Sequence, residues 1–250
     1  MSAEIEGASS SVTVDFLPPG PSAGATPEEI IAGFIAAGTA AQDNYHVARS
    51  YLSEQIREDW NPNYSVLIQS GEPDISVVSN NTASYAVPII ASVDEWGRYL
   101  GATAVTEQAL EFRFVRELGE WRLSALPDGI VLSESAFSEA FNSFRLYYFS
   151  SGYRDLVADV RWFATRGEVS AKIVRALLQA PSFWLDQGST VSAFPEGTQL
   201  ALTPIPVVDG VAAVDLTTQV LSTDEITRSR MLAQLTASLG QVQGISSAKI

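Results

Sequence analysis

The sequence contains no cysteine, which removes disulfides, thiolate metal sites, cysteine nucleophiles and sulfur-linked lipidation and leaves the redox compartment open. It contains a single histidine, His46, so much of the usual catalytic inventory is missing. Basic charge is scarce: 15 Lys and Arg stand against 29 Asp and Glu, and only two of the 15 are Lys. A nucleic-acid backbone is held by clustered Lys and Arg, so no nucleic-acid partner is expected. No apolar run approaches the ~18 to 20 uninterrupted residues of a membrane helix, since Gly, Asp or Arg breaks each one within a few positions. The opening Met1-Ser-Ala-Glu-Ile-Glu-Gly7 has neither the basic region nor the apolar stretch of a secretion signal. As written, the chain reads as cytosolic or as trimmed.

What is present describes a globular protein. The 250 residues are 46% hydrophobic and 10% aromatic, with five Trp, enough for one large or two ordinary domains. The charge is uneven. Residues 1–142 hold 20 acids and 6 bases, whereas residues 143–250 hold nine of each. That shift suggests two domains, and the acidic surface serves solubility or a basic partner.

Residues 1–25, with Gly7–Ser11 and Pro18-Pro-Gly-Pro21, read as an extended leader. Thr26-Pro-Glu-Glu29 is a helix start in which Thr26 caps, Pro27 suits the first turn and Glu29 closes a capping box; Ile30, Ile31, Phe34 and Ile35 supply the buried face. A second helix is expected from Asp43 to Glu58 on the spacing of Tyr45, Ala48, Tyr51 or Leu52, and Ile56. The period then changes to two, and strands are expected at Ser65–Gln69, Asp74–Val78, Ala83–Ser92, Glu107–Arg116 and Glu120–Leu126. Helices followed by a curved antiparallel sheet give an α+β domain over residues 26–142. Its element order resembles the cone-shaped domains of the nuclear-transport-factor-2-like (NTF2-like) group, in which helices close one face of a bent sheet around a pocket. Ser133–Asn142 reads as a short helix or linker.

The second α+β domain, residues 143–250, opens with strands at Ser143–Phe149 and Asp155–Phe163. A helix over Glu168–Gln179 follows, its stripe being Val169, Ile173, Ala176 and Leu177. A turn at Phe194–Thr198 leads into a strand through Leu202, and Val207–Leu216 is a hairpin turning on Asp209-Gly210. The last helix is expected from Ser222-Thr-Asp-Glu225, with Leu232, Leu235, Leu239 and Val242 inward and an end near Gly240 or Gly244. Ile245–Ile250 starts one more strand and suggests a chain that continues.

Four ordered blocks carry a family resemblance: Leu156–Trp162, Ala176–Ser182, Ser192–Thr198 and Asp209–Leu216. Together they look like a GerM-type sporulation and germination domain. Upstream, Pro19–Pro21, Ala25–Phe34, Ala40–Tyr45, Tyr51-Leu52 and Trp60-Asn-Pro62 are similar to the start of the actinobacterial lipoprotein family LpqB. That resemblance implies a lipidated Cys before the chain and a β-propeller after the GerM domain, both outside this sequence. It implies an extracytoplasmic, lipid-anchored protein of which this chain is a soluble fragment. It also implies an accessory to the sensor histidine kinase MtrB, in cell-envelope and cell-division signalling, that binds protein and catalyses nothing.

The chemistry-bearing residues agree with that expectation. His46 has no Gly-x-Ser-x-Gly partner motif for a Ser–His–Asp mechanism and reads as an ordinary helical residue. Glu28-Glu29, Glu58-Asp59 and Asp94-Glu95 are adjacent pairs, which do not face each other on a helix. No Asp-x-Asp-x-Asp-Gly loop marks a hard-cation site. The expectation is therefore no catalytic, cofactor-binding or metal-binding residue. An enzymatic alternative places isomerase or hydratase chemistry in the first domain, with Asp94, Tyr45, Tyr85 and Tyr99 as its candidates by residue type. A second alternative is a small-ligand or cell-wall-fragment binding module using that pocket. Trp121 and Trp162 are expected in the core, and Phe183-Trp184-Leu185 is expected to pack, with an exposed contact patch as its alternative.

Overall fold

The computed structural model describes residues 18–79, 81–185 and 188–250. The first half is a mixed α+β arrangement. Helix α1 (Pro27–Ala37) starts as expected: Thr26 Oγ1 accepts from the Glu29 N–H and Glu29 Oε2 accepts from the Thr26 N–H. Its buried face is Ile30, Ile31, Phe34 and Ala37, with Ile35 only partly covered. Strands β1 (Ser65–Gln69), β2 (Asp74–Ser79), β3 (Thr82–Asp94), β4 (Tyr99–Glu117), β5 (Glu120–Ala125) and β6 (Ile130–Ser133) form one sheet. The order is β5-β4-β3-β1-β6, with β2 on the same edge of β3 as β1; only β1–β6 is parallel. The long β3 alternates without a break, Ala83, Tyr85, Val87, Ile89, Ala91 and Val93 facing inward. Ile89 pairs with Thr106 but Ala91 with Gly101, so residues 102–105 of β4 bulge out of the ladder, and such insertions curl a sheet. The space under the curl is filled by Phe34, Trp60, Tyr85 and Phe112, whose rings meet edge-on.

The helix expected over Asp43–Glu58 does not form as one element. Asp43, Asn44 and Tyr45 are left-handed, with φ of 47°, 54° and 59°. Helix α2 is confined to His46–Ser50. The chain then runs beside β5: the Leu123 N–H donates to the Tyr51 carbonyl (2.9 Å) and the Ser53 N–H to the Leu123 carbonyl (2.8 Å). A strand edge 70 residues away thus overrides the helical period, although Tyr45, Ala48, Tyr51 and Leu52 are buried all the same. The expected extended leader is corrected over residues 18–25, where Ala25 joins the core, Tyr51 Oη donates to the Pro19 carbonyl and the Gly24 N–H donates to Glu120. Residues 1–17 of that leader lie outside the described residues.

A short helix α3 (Glu134–Ala140), capped by Ser133, leads into β7 (Phe141–Ser150), which pairs along its length with β8 (Leu156–Ala164) and briefly with β9 (Thr190–Val191). The expected passage between domains at 142/143 falls inside β7. A second small sheet joins β10 (Val207–Val208), β11 (Val211–Ala213) and β12 (Ser247–Lys249). The β10–β11 turn is the expected one, Asp209 and Gly210 having φ of 50° and 79°. Helix α4 (Val169–Leu177), whose expected stripe is buried, packs on β7 and β8, and α5 (Glu225–Leu239) lies against both β7 and β12. The strand expected through Leu202 reduces to a single bridge between Leu200 and Leu216.

Helix α5 departs from its expected register. Its cap is Asp224, which accepts from the Thr227 N–H, rather than Ser222. Its buried side is Met231, Gln234, Leu235, Ser238 and Leu239, with Leu232 and Val242 only partly covered. The two polar residues are inward because the free edge of β7 needs partners. Gln234 Nε2 donates to the Tyr147 carbonyl (2.9 Å), the Tyr147 N–H donates to Ser238 Oγ (3.0 Å), and Gln241 bonds both the N–H and the carbonyl of Arg145. Side chains of a helix here take the place of a missing strand. Two hydrophobic clusters result, one centred on α1 and β1–β6 and the other on α4, α5 and β7.

Candidate functional site at the domain junction

The tip of the β3–β4 hairpin is where the first cluster meets the second. Asp94 Oδ1 accepts from the N–H groups of Trp96 (2.9 Å) and Arg98 (2.8 Å), and Oδ2 lies 3.5 Å from Arg98 Nη1. These bonds hold a turn completed by Gly97 at φ +79°. The turn approaches β8 closely: the Trp162 N–H donates to the Gly97 carbonyl at 2.7 Å. A Cβ on Gly97 would stand 2.7 Å from the Phe163 ring and 2.9 Å from the Trp162 carbonyl oxygen.

Beneath the tip lies a buried ion pair. Asp159 and Arg161, two apart on β8 and so on one face, both have fully buried side chains. Arg161 donates from Nε and Nη2 to Asp159 Oδ2 (3.1 and 2.6 Å), from Nη1 to the Trp96 carbonyl (3.0 Å) and from Nη2 to the Ala180 carbonyl (3.4 Å). Arg98 Nη2 donates to that same Ala180 carbonyl at 3.0 Å. Asp159 in turn accepts the Ser182 N–H and hydroxyl, each at 2.8 Å. Every partner a buried pair requires is thus supplied, and the bonds tie the hairpin, β8 and the segment after α4 together. Tyr99, Phe137, Phe141 and Trp162 pack beside this latch, with ring centroids 4.9 to 6.1 Å apart.

Two clefts border the junction. One of ≈ 280 Å³ lies between α3 and the ends of β7 and β8 and includes Thr39, Tyr45, Glu139 and Arg166. The other, of ≈ 220 Å³, lies between the hairpin tip and α4 and includes Tyr45, Asn63, Trp96, Lys172 and Arg175. Both take residues from each half of the chain, whereas the hollow of the curled sheet is filled by the aromatic core.

The four candidates for acid–base work are not gathered into one site. Asp94 and Tyr45 share the second cleft, but both Asp94 oxygens are engaged in holding the turn. Burial pushes the Tyr45 hydroxyl up to about 12. Tyr85 lies in the sheet core, donates to Gln69 Oε1 and is also raised by burial. Tyr99 belongs to the aromatic cluster, and His46 is exposed at the start of α2. Among the described residues no group of three or more His, Asp or Glu is placed to hold a metal ion. Trp121 and Trp162 are partly buried against the first cluster. The packing expected of Phe183 and Trp184 is corrected: they are 68% and 44% exposed, their rings meeting edge-on at 5.0 Å.

Sequence reasoning missed the Asp159–Arg161 pair. The signal was there, since two opposite charges at i and i+2 of a strand share a face with Phe163. Lys172 was missed as well. Burial lowers its pKa below the usual 10.5, helped by Arg175 and partly offset by Glu168. Lys172 and Lys249 are the only lysines, so NMR of lysine-labelled protein resolves both. The Lys172 ammonium is expected to lose its proton below pH 10.5. Because the unfolded chain holds this proton more tightly, that group favours folding increasingly as pH climbs through its folded pKa towards 10.5.

Residues 20–138 match the family described as lipoprotein LpqB, N-terminal domain, and residues 145–250 match sporulation and spore germination. The chain is 27% identical to lipoprotein LpqB of Bifidobacterium longum over 236 residues, covering 89% of this chain and 41% of that protein. With lipoprotein LpqB of Cutibacterium acnes it shares 26% over 234 residues, covering 94% and 39%. Among solved structures, the tandem GerMN domains of the sporulation protein GerM from Bacillus subtilis match with a TM-score of 0.35 and 14% identity, over 44% of this chain and 38% of that one. The chain spans about two fifths of the length of these curated relatives. Among the described residues no helix is long and apolar enough to cross a membrane. The chain thus carries an LpqB N-terminal domain over residues 20–138, followed by a sporulation and spore germination domain over residues 145–250.

Proposed function

We propose that the chain is a non-enzymatic, extracytoplasmic binding module that modulates a two-component sensor kinase of the MtrB type, held at the membrane by a lipid anchor on the longer protein. The domains of this reading are residues 26–142, of the NTF2-like cone type, and residues 143–250. Its relatives' description as lipoproteins supports the location, and α1 packed under a curled sheet supports the cone. One observation carries the binding role. Phe183 and Trp184 are exposed directly after Ser182, whose N–H and hydroxyl are pinned by Asp159, and close after Ala180, whose carbonyl is held by Arg98 and Arg161. An exposed aromatic pair on a backbone fixed in this way is pre-organised for a protein contact and loses little freedom on binding. Differential affinity for two sensor states then shifts their populations, and the tether raises the effective concentration.

The test is a titration of this chain against the sensor's extracytoplasmic domain at two salt concentrations. Saturable binding is expected. Loss of an aromatic hot spot costs ~2 kcal/mol or more, so the Phe183→Ala, Trp184→Ala double variant is expected to weaken it on the order of 30-fold. Weakening by salt would place the acidic first half at the contact as well. Absence of binding, or equal binding by the double variant, would overturn the assignment.

A further inference from the structure

The cleft between the hairpin tip and α4 holds two cations, neither in an ion pair among the described residues; Glu168, four residues before Lys172, attracts its ammonium without pairing with it. Lys172 and Arg175 are three apart on α4, hence on one side of it, and both border the cleft. Lys172 Nζ is bonded to a neutral acceptor, Asn63 Oδ1, at 3.0 Å. Among the described residues the ion pairs within 4.0 Å are Arg98–Asp94, Arg113–Glu111 and Arg161–Asp159, so neither cation has a carboxylate of this chain at that distance. Keeping an ammonium half-buried in this way costs free energy, as its lowered pKa reflects, and an anion in the cleft would offset that cost.

The rest of the cleft narrows what that anion belongs to. Glu95 borders it, is exposed and forms no ion pair among the described residues. Asp94, beside it, is already committed to the turn. Trp96, Trp162 and Phe163 add aromatic surface to the same cleft. The volume, ≈ 220 Å³, falls below the ~300 to 1,000 Å³ of pockets for drug-sized ligands and suits a ligand of one or two residues. We propose that this cleft binds a small zwitterion, an amino acid or dipeptide, with its carboxylate against Lys172 and Arg175, its ammonium against Glu95 and its side chain on the aromatic surface. The site is independent of the sensor reading, and it is tested with no sensor present.

The probes are L-alanyl-L-alanine, its C-terminal amide, its N-acetyl form and sodium acetate, read by tryptophan fluorescence and by the Lys172 resonance. Saturable binding of the free dipeptide is expected, with a shift of the Lys172 signal. The amide and the N-acetyl form are expected to bind at least about tenfold more weakly. Arg175→Gln, Lys172→Met and Glu95→Gln are expected to weaken the dipeptide by a similar factor, whereas Arg228→Gln, outside the cleft, leaves it unchanged. Arg175 and Glu95 are exposed, so their variants carry the test even if Lys172→Met fails to fold. No saturation up to concentrations on the order of 10 mM, acetate binding as tightly as the dipeptide, or indifference to Glu95→Gln and N-acetylation would each overturn the proposal.

Discussion

Replacing Arg161 with methionine is expected to cost about 3–5 kcal/mol of stability, on the order of 10 °C in melting temperature for a chain of this size. The methionine fills much of the same volume, so the loss does not come from a cavity. It comes from what the guanidinium leaves behind: a fully buried Asp159 carboxylate without its cation, and Trp96 and Ala180 carbonyls that lose a donor. Ser182 still donates twice to Asp159, but hydrogen bonds without an opposing charge do not repay the desolvation of a carboxylate. The double variant Asp159→Asn, Arg161→Met is expected to recover part of the loss, because the amide carries no charge to strand. Denaturant melts of the two single variants and the double one give the coupling. If Arg161→Met melts like the parent protein, the pair contributes nothing to holding the halves together.

Gly97→Ala is the second large effect, and it acts on the junction rather than on either core. Gly97 is left-handed, and an L-residue there costs ~1–2 kcal/mol. The added methyl also meets the Phe163 ring at 2.7 Å and the Trp162 carbonyl oxygen at 2.9 Å, adding an overpacking cost of ~1–3 kcal/mol. A ring can tilt, but the backbone of β8 cannot give way without disturbing its pairing with β7. Gly119→Ala is the control: Gly119 is also left-handed, with φ +88°, and has nothing within 4 Å of its Cβ position. The excess of Gly97→Ala over Gly119→Ala therefore reads the close approach alone. Faster hydrogen exchange at the Trp162 N–H is expected in Gly97→Ala and not in Gly119→Ala; equal behaviour of the two would mean that the junction is not tightly packed there.

Both effects concern contacts between residues far apart in the chain, and that is where reading the sequence alone stopped. The start of α1, the uninterrupted alternation of β3, the Asp209-Gly210 turn and the stripe of α4 were legible. Each rests on a rule that spans a few residues: a capping box over four positions, a period of two or 3.6, a turn that needs positive φ. The same reasoning failed at Asp43–Glu58. The helical spacing there was real, and Tyr45, Ala48, Tyr51 and Leu52 are buried with Ile56 partly covered, but three left-handed residues and the edge of β5 divide the segment. It failed again on α5, where Gln234 and Ser238 face inward to serve the open edge of β7, which no local pattern foretells.

The candidate site divides along the same line. Residue type and charge count by themselves excluded thiol chemistry and argued against a nucleic-acid partner, and the ordered blocks of the second half carried the family resemblance. Only tertiary structure decided that both Asp94 oxygens are taken up in holding a turn, that Asp159 and Arg161 form the buried latch, and that Lys172 and Arg175 border one cleft without an ion-pairing carboxylate among the described residues. It also decided that Phe183 and Trp184 point outward. The physical reason is that burial and pairing are properties of neighbours in space. A carboxylate becomes a catalyst, a cap or a latch according to which donors the fold brings to it, and at Asp94 and Asp159 those donors come from as close as two residues away and as far as 23.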